Sequence, residues 1–131
     1  MFRPYAFAPG LTVADLQRSE DFYTKVLGFA VAERWVRDGL PHGVGLTAGT
    51  CELVLIQDDW ARGRNRRKGE GIRFWFRTED DIDALAEVVQ ASGVEITQPP
   101  SDRPGGGRTF SFDDPDGFHL TIAREERAPE A

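Results

Sequence analysis

Apolar and polar positions follow an order that runs twice along the chain. In residues 5–13, YAFAPGLTV, Tyr5, Phe7, Leu11 and Val13 share one parity and Ala6, Ala8, Gly10 and Thr12 the other, which is the period of a strand. Pro9-Gly10 makes it an irregular or edge strand. Asp15 then stands as the N-cap of a helix over 16–27, with Leu16, Ser19, Phe22, Tyr23, Val26 and Leu27 on one face and Gly28 ending it. Three strands follow at 29–37, 43–48 and 51–57, with turn residues in DGLPHG and AGT.

The second pass repeats the first. IRFWFR, 72–77, is a strand, and Thr78 or Asp80 caps a helix over 80–92 with Ile82, Leu85, Val88 and Val89 inward and Gly93 at its end. Strands are predicted near 94–97, 108–113 and 118–124. The last two are joined by Asp114-Pro115-Asp116-Gly117, where Pro presets φ and Gly accepts the left-handed conformation. In the final strand Phe118, Leu120 and Ile122 face one way and His119, Thr121 and Ala123 the other.

The interval from Asp15 to Gly28 equals that from Asp80 to Gly93, so a duplicated unit of strand, helix and three strands is the simplest account. The predicted class is α+β: one domain over 1–131, with module one at 5–60, a connector at 61–71, module two at 72–124 and a charged tail at 125–131. One helix covers only one face of a sheet. The uncovered faces, curved and paired, would make a cup lined by the inward parity of each strand. The connector ARGRNRRKGEG has no apolar period and is predicted to be mobile.

Composition adds mostly exclusions. A net charge of −6 over 131 residues argues against nonspecific nucleic-acid binding, which needs a positive surface. Cys51 is the only cysteine, so no disulfide forms within the chain and a reducing cytoplasm is expected. The opening MFRPYAFAPGL carries no apolar leader, and no run approaches the roughly 20 apolar residues of a membrane span. The expected partners therefore include neither nucleic acid nor membrane. RGRNRRK, 62–68, reads as a solvated loop, and PGGGR, 104–108, lacks the Lys-Ser/Thr and helix start of a phosphate cradle. No His stands beside Cys51 in sequence, and no Ser-His triad is recognisable.

LTVADLQRSEDFYTKVLGF, 11–29, together with DDPDGFHLTI, 113–122, resembles the vicinal oxygen chelate superfamily, the group of glyoxalase I, extradiol dioxygenases and bleomycin-resistance proteins. The resemblance covers 5–124 and implies paired βαβββ modules, a curved mixed sheet with a cup-like cavity, and a homodimer. Enzymes of the group hold a metal with four His, Gln or Glu ligands on four strands. Carried over one at a time, those positions fall here on Ala8, on Val54 (or Leu55 with a shift of one), on Phe74 and on Thr121. A hydroxyl and three hydrocarbons make no chelate, so neither metal nor cofactor is expected. Glu52 and His119 have the parity to face the cavity, but two unrelated donors are not a site.

With the chelate gone, the sequence looks most like the bleomycin-resistance branch, whose members are metal-free dimers that bind an aromatic antibiotic between subunits. The implied function is sequestration of an aromatic natural-product antibiotic, with no catalytic residue and no enzyme activity. The alternative is a lyase, isomerase or dioxygenase of the same superfamily with an atypical or lost metal site. Candidate ligand-binding residues are Trp35, Val54, Ile56, Trp60, Phe74, Phe76, Phe110, Phe112 and Thr121. Trp75, of opposite parity to Phe74, is expected to face the helix. Gly106 stands where that branch carries a Trp, so bleomycin itself fits poorly and another flat compound is implied.

Overall fold

Residues 1–125 are described by the computed structural model, and the predicted tail lies outside the described residues from 126 onward. The chain divides into two units, Met1–Lys68 and a second from Gly69 onward.

In the first unit, β1 is Gly10–Val13 and α1 is Leu16–Asp21, continued by a π-helical turn at Phe22–Val26; β2 is Ala30–Arg37, β3 Leu40–Ala48 and β4 Cys51–Gln57. The sheet order is β1-β4-β3-β2, with β1 parallel to β4 and the other pairs antiparallel. Asp15 caps α1 as expected, its carboxylate accepting the Arg18 N–H at 3.0 Å. Gly28, at φ 77°, ends the helical segment in a conformation that costs most side chains energy. Leu11, Val13, Val44, Leu46, Leu53 and Leu55 are buried on the face that α1 covers, together with Leu16 and Tyr23. Glu20 is also buried there and is paired with Arg34 of β2, whose guanidinium is held all the more firmly in its charged form by that hydrogen bond.

The predicted first strand is too long. Tyr5 and Phe7 are fully exposed, and pairing starts only where the Pro9 carbonyl accepts the Val54 N–H at 2.9 Å. Proline has no N–H to offer a ladder. The expected mobile connector begins as an ordered structure. Asp58 accepts the Trp60 N–H at 2.9 Å and the Lys68 ammonium at 2.6 Å, and both charged side chains are less than a tenth exposed. Trp60 takes the left-handed conformation, φ 60°, and its ring lies under Arg64 at 4.6 Å and Lys68 at 5.3 Å.

The second unit repeats the plan: β5 Arg73–Arg77, α2 Ile82–Ala91, β6 Ile96–Asp102, β7 Arg108–Asp113 and β8 His119–Arg124. Its order, β5-β8-β7-β6 with β5 parallel to β8, matches the first sheet strand for strand. Asp81, rather than Thr78 or Asp80, caps α2 by accepting the Ala84 N–H at 3.0 Å. Ile82, Ala86 and Val89 form the buried row, whereas Val88, predicted inward, is 57% exposed because it sits one residue off that row. Asp114 builds the turn before β8, accepting the N–H groups of Asp116 and Phe118 at 2.9 Å each. Gly69, φ 78°, packs against this turn so closely that a Cβ would lie 2.4 Å from the Gly117 carbonyl oxygen.

Strand register sorts the second sheet into two faces. Phe74 pairs with Leu120, Phe76 with Ile122, Phe110 with Ile122 and Phe112 with Leu120. These six are the side that meets α2, where Phe110, Phe112 and Leu120 have no exposure. Trp75 pairs with Thr121, and Thr121 with Ser111, on the other side.

Candidate functional site

Each unit leaves one sheet face without a helix, and the two faces differ in chemistry. In the first unit the open face carries Gly10, Gly43, Gly45, Val54 and Ile56, which are neighbours by register. Trp35 pairs with Gly43 and lies flat on the sheet: a Cβ on Gly43 would stand 2.9 Å from the indole Cε3 and 3.1 Å from the Leu55 carbonyl oxygen. Only glycine lets the ring down to this level. Trp35 is 36% exposed and also borders a groove of about 440 Å³, shared with Leu40, Pro41 and Gln57. Gln57 is fixed there by donating to the Ala14 carbonyl at 2.9 Å while its own carbonyl accepts the Leu16 N–H at 2.9 Å.

In the second unit the open face is polar. It forms a hollow of about 480 Å³ containing Arg73, Trp75, Gln98, Ser111, His119 and Thr121. Arg73 donates to the Thr121 hydroxyl at 2.9 Å, the Thr121 and Ser111 hydroxyls are 2.9 Å apart, and Ser111 donates to the Gln98 carbonyl at 3.1 Å. Because Ser111 gives its proton to Gln98, Thr121 must be the donor to Ser111, so the chain runs in one direction away from Arg73. Beside it, His119 Nδ1 is 2.7 Å from Asp113. A charged depression of about 680 Å³ lies elsewhere on the same unit, but its Arg108 is already bound to Asp83 at 2.8 Å and to Asp102 at 2.9 Å. Those bonds hold the Asp83 carboxyl below the usual carboxylate range and raise Arg108.

The expected ligand residues are therefore distributed unevenly. Trp35, Val54, Ile56 and Thr121 do lie on open faces. Phe74, Phe76, Phe110 and Phe112 do not; they pack on the side toward α2, and Trp75, expected there, faces the open side at 46% exposure. The correction has one cause. β8 fixes its neighbours' faces, and Leu120 and Ile122 carry Phe74, Phe76, Phe110 and Phe112 with them. Trp60 is part of the Asp58–Lys68 clamp. Arg73, Ser111, Gln98 and Asp113 were not singled out. The polar alternation of Thr109, Ser111 and Asp113 against Phe110 and Phe112 was the available signal.

The chelate positions do not fit a metal. Ala8 precedes β1 and is exposed, Leu55 and Phe74 face the helix sides, Val54 is apolar, and Thr121 is engaged with Arg73 and Ser111. Among the described residues no group of three or more His, Cys, Asp or Glu side chains is placed to hold an ion. Glu52 is exposed near the start of β4, and Cys51, beside it, is an exposed thiol.

Two sheets of this topology, each with one helix-free face, define a fold family. Residues 6–122 match the family model of the glyoxalase/bleomycin resistance protein/dioxygenase superfamily, and the chain belongs to it. It is similar to glutathione transferase FosA of Serratia marcescens, 28% identical over 113 residues covering 86% of this chain and 74% of that one. It is likewise 28% identical to lactoylglutathione lyase of Escherichia coli O157:H7 over 123 residues, 90% of each chain. Among solved structures, TnmS3, an antibiotic-binding protein from Streptomyces sp. CB03234, superposes with a TM-score of 0.75 at 23% identity, covering 96% of this chain and 99% of that one, a likeness of fold. The expectation that the protein is not an enzyme is overturned by these relatives, since the first two are named for catalytic activities. Among the described residues no helix is long and apolar enough to cross a membrane.

Proposed function

We propose that the protein binds a flat aromatic small molecule, of the natural-product antibiotic kind, against the open face of its first sheet. The observation that carries this reading is the Trp35 indole laid on Gly43, with Gly45, Val54 and Ile56 beside it. Such a surface gives a planar ligand an aromatic ring to stack on and a smooth apolar floor beside it, and offset ring stacking adds about 0.5–1.5 kcal/mol beyond burial. The antibiotic-binding protein TnmS3 shares the fold, which supports the reading without naming the compound. The ligand is held without a metal, because the chelate positions are hydrocarbon or already hydrogen-bonded. The protein acts as a homodimer in the cytoplasm, lowering the free concentration of its ligand.

The test is a titration of quinone, anthracycline and enediyne-type compounds, with glutathione added as a separate arm because two relatives are named for glutathione chemistry. Saturable binding that Trp35→Ala weakens at least about tenfold supports the site, since a buried aromatic contact is worth more than 1.4 kcal/mol. Binding untouched by Trp35→Ala places the ligand elsewhere. Sedimentation decides the dimer separately.

A further inference from the structure

We propose that the open face of the second sheet recognises a planar aromatic acid, with Arg73 holding the anion and Trp75 the ring. This site goes beyond the reading given for the first sheet and stands on different residues. Arg73 is the starting point. Among the described residues its guanidinium makes one bond, to the neutral Thr121 hydroxyl at 2.9 Å, and no carboxylate pairs with it. A chain of net charge −6 has carboxylates to spare, and three other arginines use them: Arg34 binds Glu20, Arg77 binds Glu125 and Arg108 binds Asp83. Leaving Arg73 on a hydroxyl keeps most of its N–H fork available for a bidentate anion.

The surroundings fix both the charge and the shape of what fits. The donor chain through Thr121 and Ser111 to Gln98 anchors the guanidinium from below, and Gln98 is itself held by donating to Ser101 at 2.9 Å. The one carboxylate lining the hollow, Asp113, is occupied by His119 at 2.7 Å. Trp75 lies two residues from Arg73 and so on the same face, 46% exposed, and a second arginine, Arg103, sits 5.0 Å over its ring. Arg103 likewise makes no ion pair among the described residues, so two cations flank the indole against one carboxylate that is already hydrogen-bonded. Arg103 starts the Pro104–Gly107 hairpin, closed by its N–H to the Gly107 carbonyl at 2.9 Å. Gly105, Gly106 and Gly107 all have positive φ, and a Cβ on Gly107 would lie 2.7 Å from the Arg124 carbonyl oxygen, so glycine is what lets the hairpin close here and set Arg103 over the indole. A flat ring packs on the exposed part of the indole beside Arg103, and its acid group reaches Arg73. The hollow, about 480 Å³, is within the range of small-molecule sites.

The experiment compares 2-naphthoate with 2-naphthamide, which share ring and shape and differ in charge. Calorimetry on the full chain gives affinities, and the Trp75 indole N–H, assigned by its loss in Trp75→Phe, reports the place. The naphthoate is expected to bind at least about tenfold more tightly than the amide, as a charge-assisted bidentate contact provides, and to shift the Trp75 resonance. Arg73→Gln is expected to remove the preference and leave the amide unchanged. Equal affinity of acid and amide in the native protein, or no shift at Trp75, overturns the proposal whether or not the variant folds. A preference that survives Arg73→Gln does so too. Failure here leaves the Trp35 face untouched, because that reading is decided by Trp35→Ala and this one by Arg73→Gln and the Trp75 resonance.

Discussion

The two units share a strand order, and each open face carries a tryptophan, but what surrounds it differs. On the first, glycine recurs at Gly43 and Gly45 under a tryptophan, and the remaining floor is Val54 and Ile56. On the second, the matching strands present Thr121 and Ser111 with Arg73 and Trp75 at the edge. The hidden faces, by contrast, are interchangeable in kind: Leu, Val and Phe against one amphipathic helix. A duplicated unit must keep its helix-side packing in order to fold, whereas the uncovered side is free to diverge. Recognition therefore has to be sought where the two halves disagree.

The largest expected effect tests the hidden side. Phe110 has no exposure and stacks on Phe112 at 5.6 Å, so Phe110→Ala is expected to lose about 3–5 kcal/mol in urea unfolding, as large-to-small changes in cores do. A loss below about 1 kcal/mol would mean that Phe110 lies on the open face instead, among the ligand-binding residues where the sequence places it.

Acid comes next. The Lys68 ammonium, donating to Asp58, holds that carboxyl below its usual range, with the Trp60 N–H assisting. A carboxyl depressed by folding stabilises the native state above its unfolded value, about 3.9, and that contribution disappears as pH falls through the lower folded value. Asp58→Asn is expected to be less stable at neutral pH and to lose less than the native protein between pH 5 and pH 2. An unchanged acid limb would remove this clamp from the account of the first unit.

How much of this was legible in the sequence follows the same division. The repeat, the Asp15 cap, the terminal Gly28 and Gly93 and the DPDG turn were all read from local chemistry, because capping and positive φ are decided within a few residues. The faces of β5 were not. Arg73-Phe74-Trp75-Phe76-Arg77 puts aromatic side chains on both parities, so the strand itself does not say which side is covered. Its register against β8 does, and Leu120 and Ile122 had already been assigned a common side. The clamp at Asp58 and Lys68 was missed for a different reason. It joins residues ten apart across an irregular loop, where no periodicity operates.

A smaller effect separates the floor of the first face from its surroundings. Gly43→Ala forces the indole or β3 to move, with an expected cost of about 1–3 kcal/mol, and shifts the Trp35 fluorescence. In a Trp35→Ala background the clash with the ring is gone and part of that cost should be recovered, leaving the approach to the Leu55 carbonyl. Strict additivity of the two changes would show that the ring does not rest on the glycine.

The smallest effect is on the second face, and it is the one that tells a recognition surface from a structural one. Arg73 is exposed, and its loss removes a single bond to a neutral hydroxyl, so Arg73→Gln is expected to change stability by less than about 0.5 kcal/mol. Thr121 is different: it is 2% exposed and stands in the middle of the donor chain. Thr121→Val strands the Arg73 donor and takes the hydrogen-bond partner from Ser111, at an expected cost of about 1–2 kcal/mol. The two substitutions share one bond, Arg73 to Thr121, and Thr121→Val loses the Ser111 contact as well. An Arg73→Gln as costly as Thr121→Val would make the guanidinium part of what holds the face together, and a neutral one leaves the structural role with the hydroxyls.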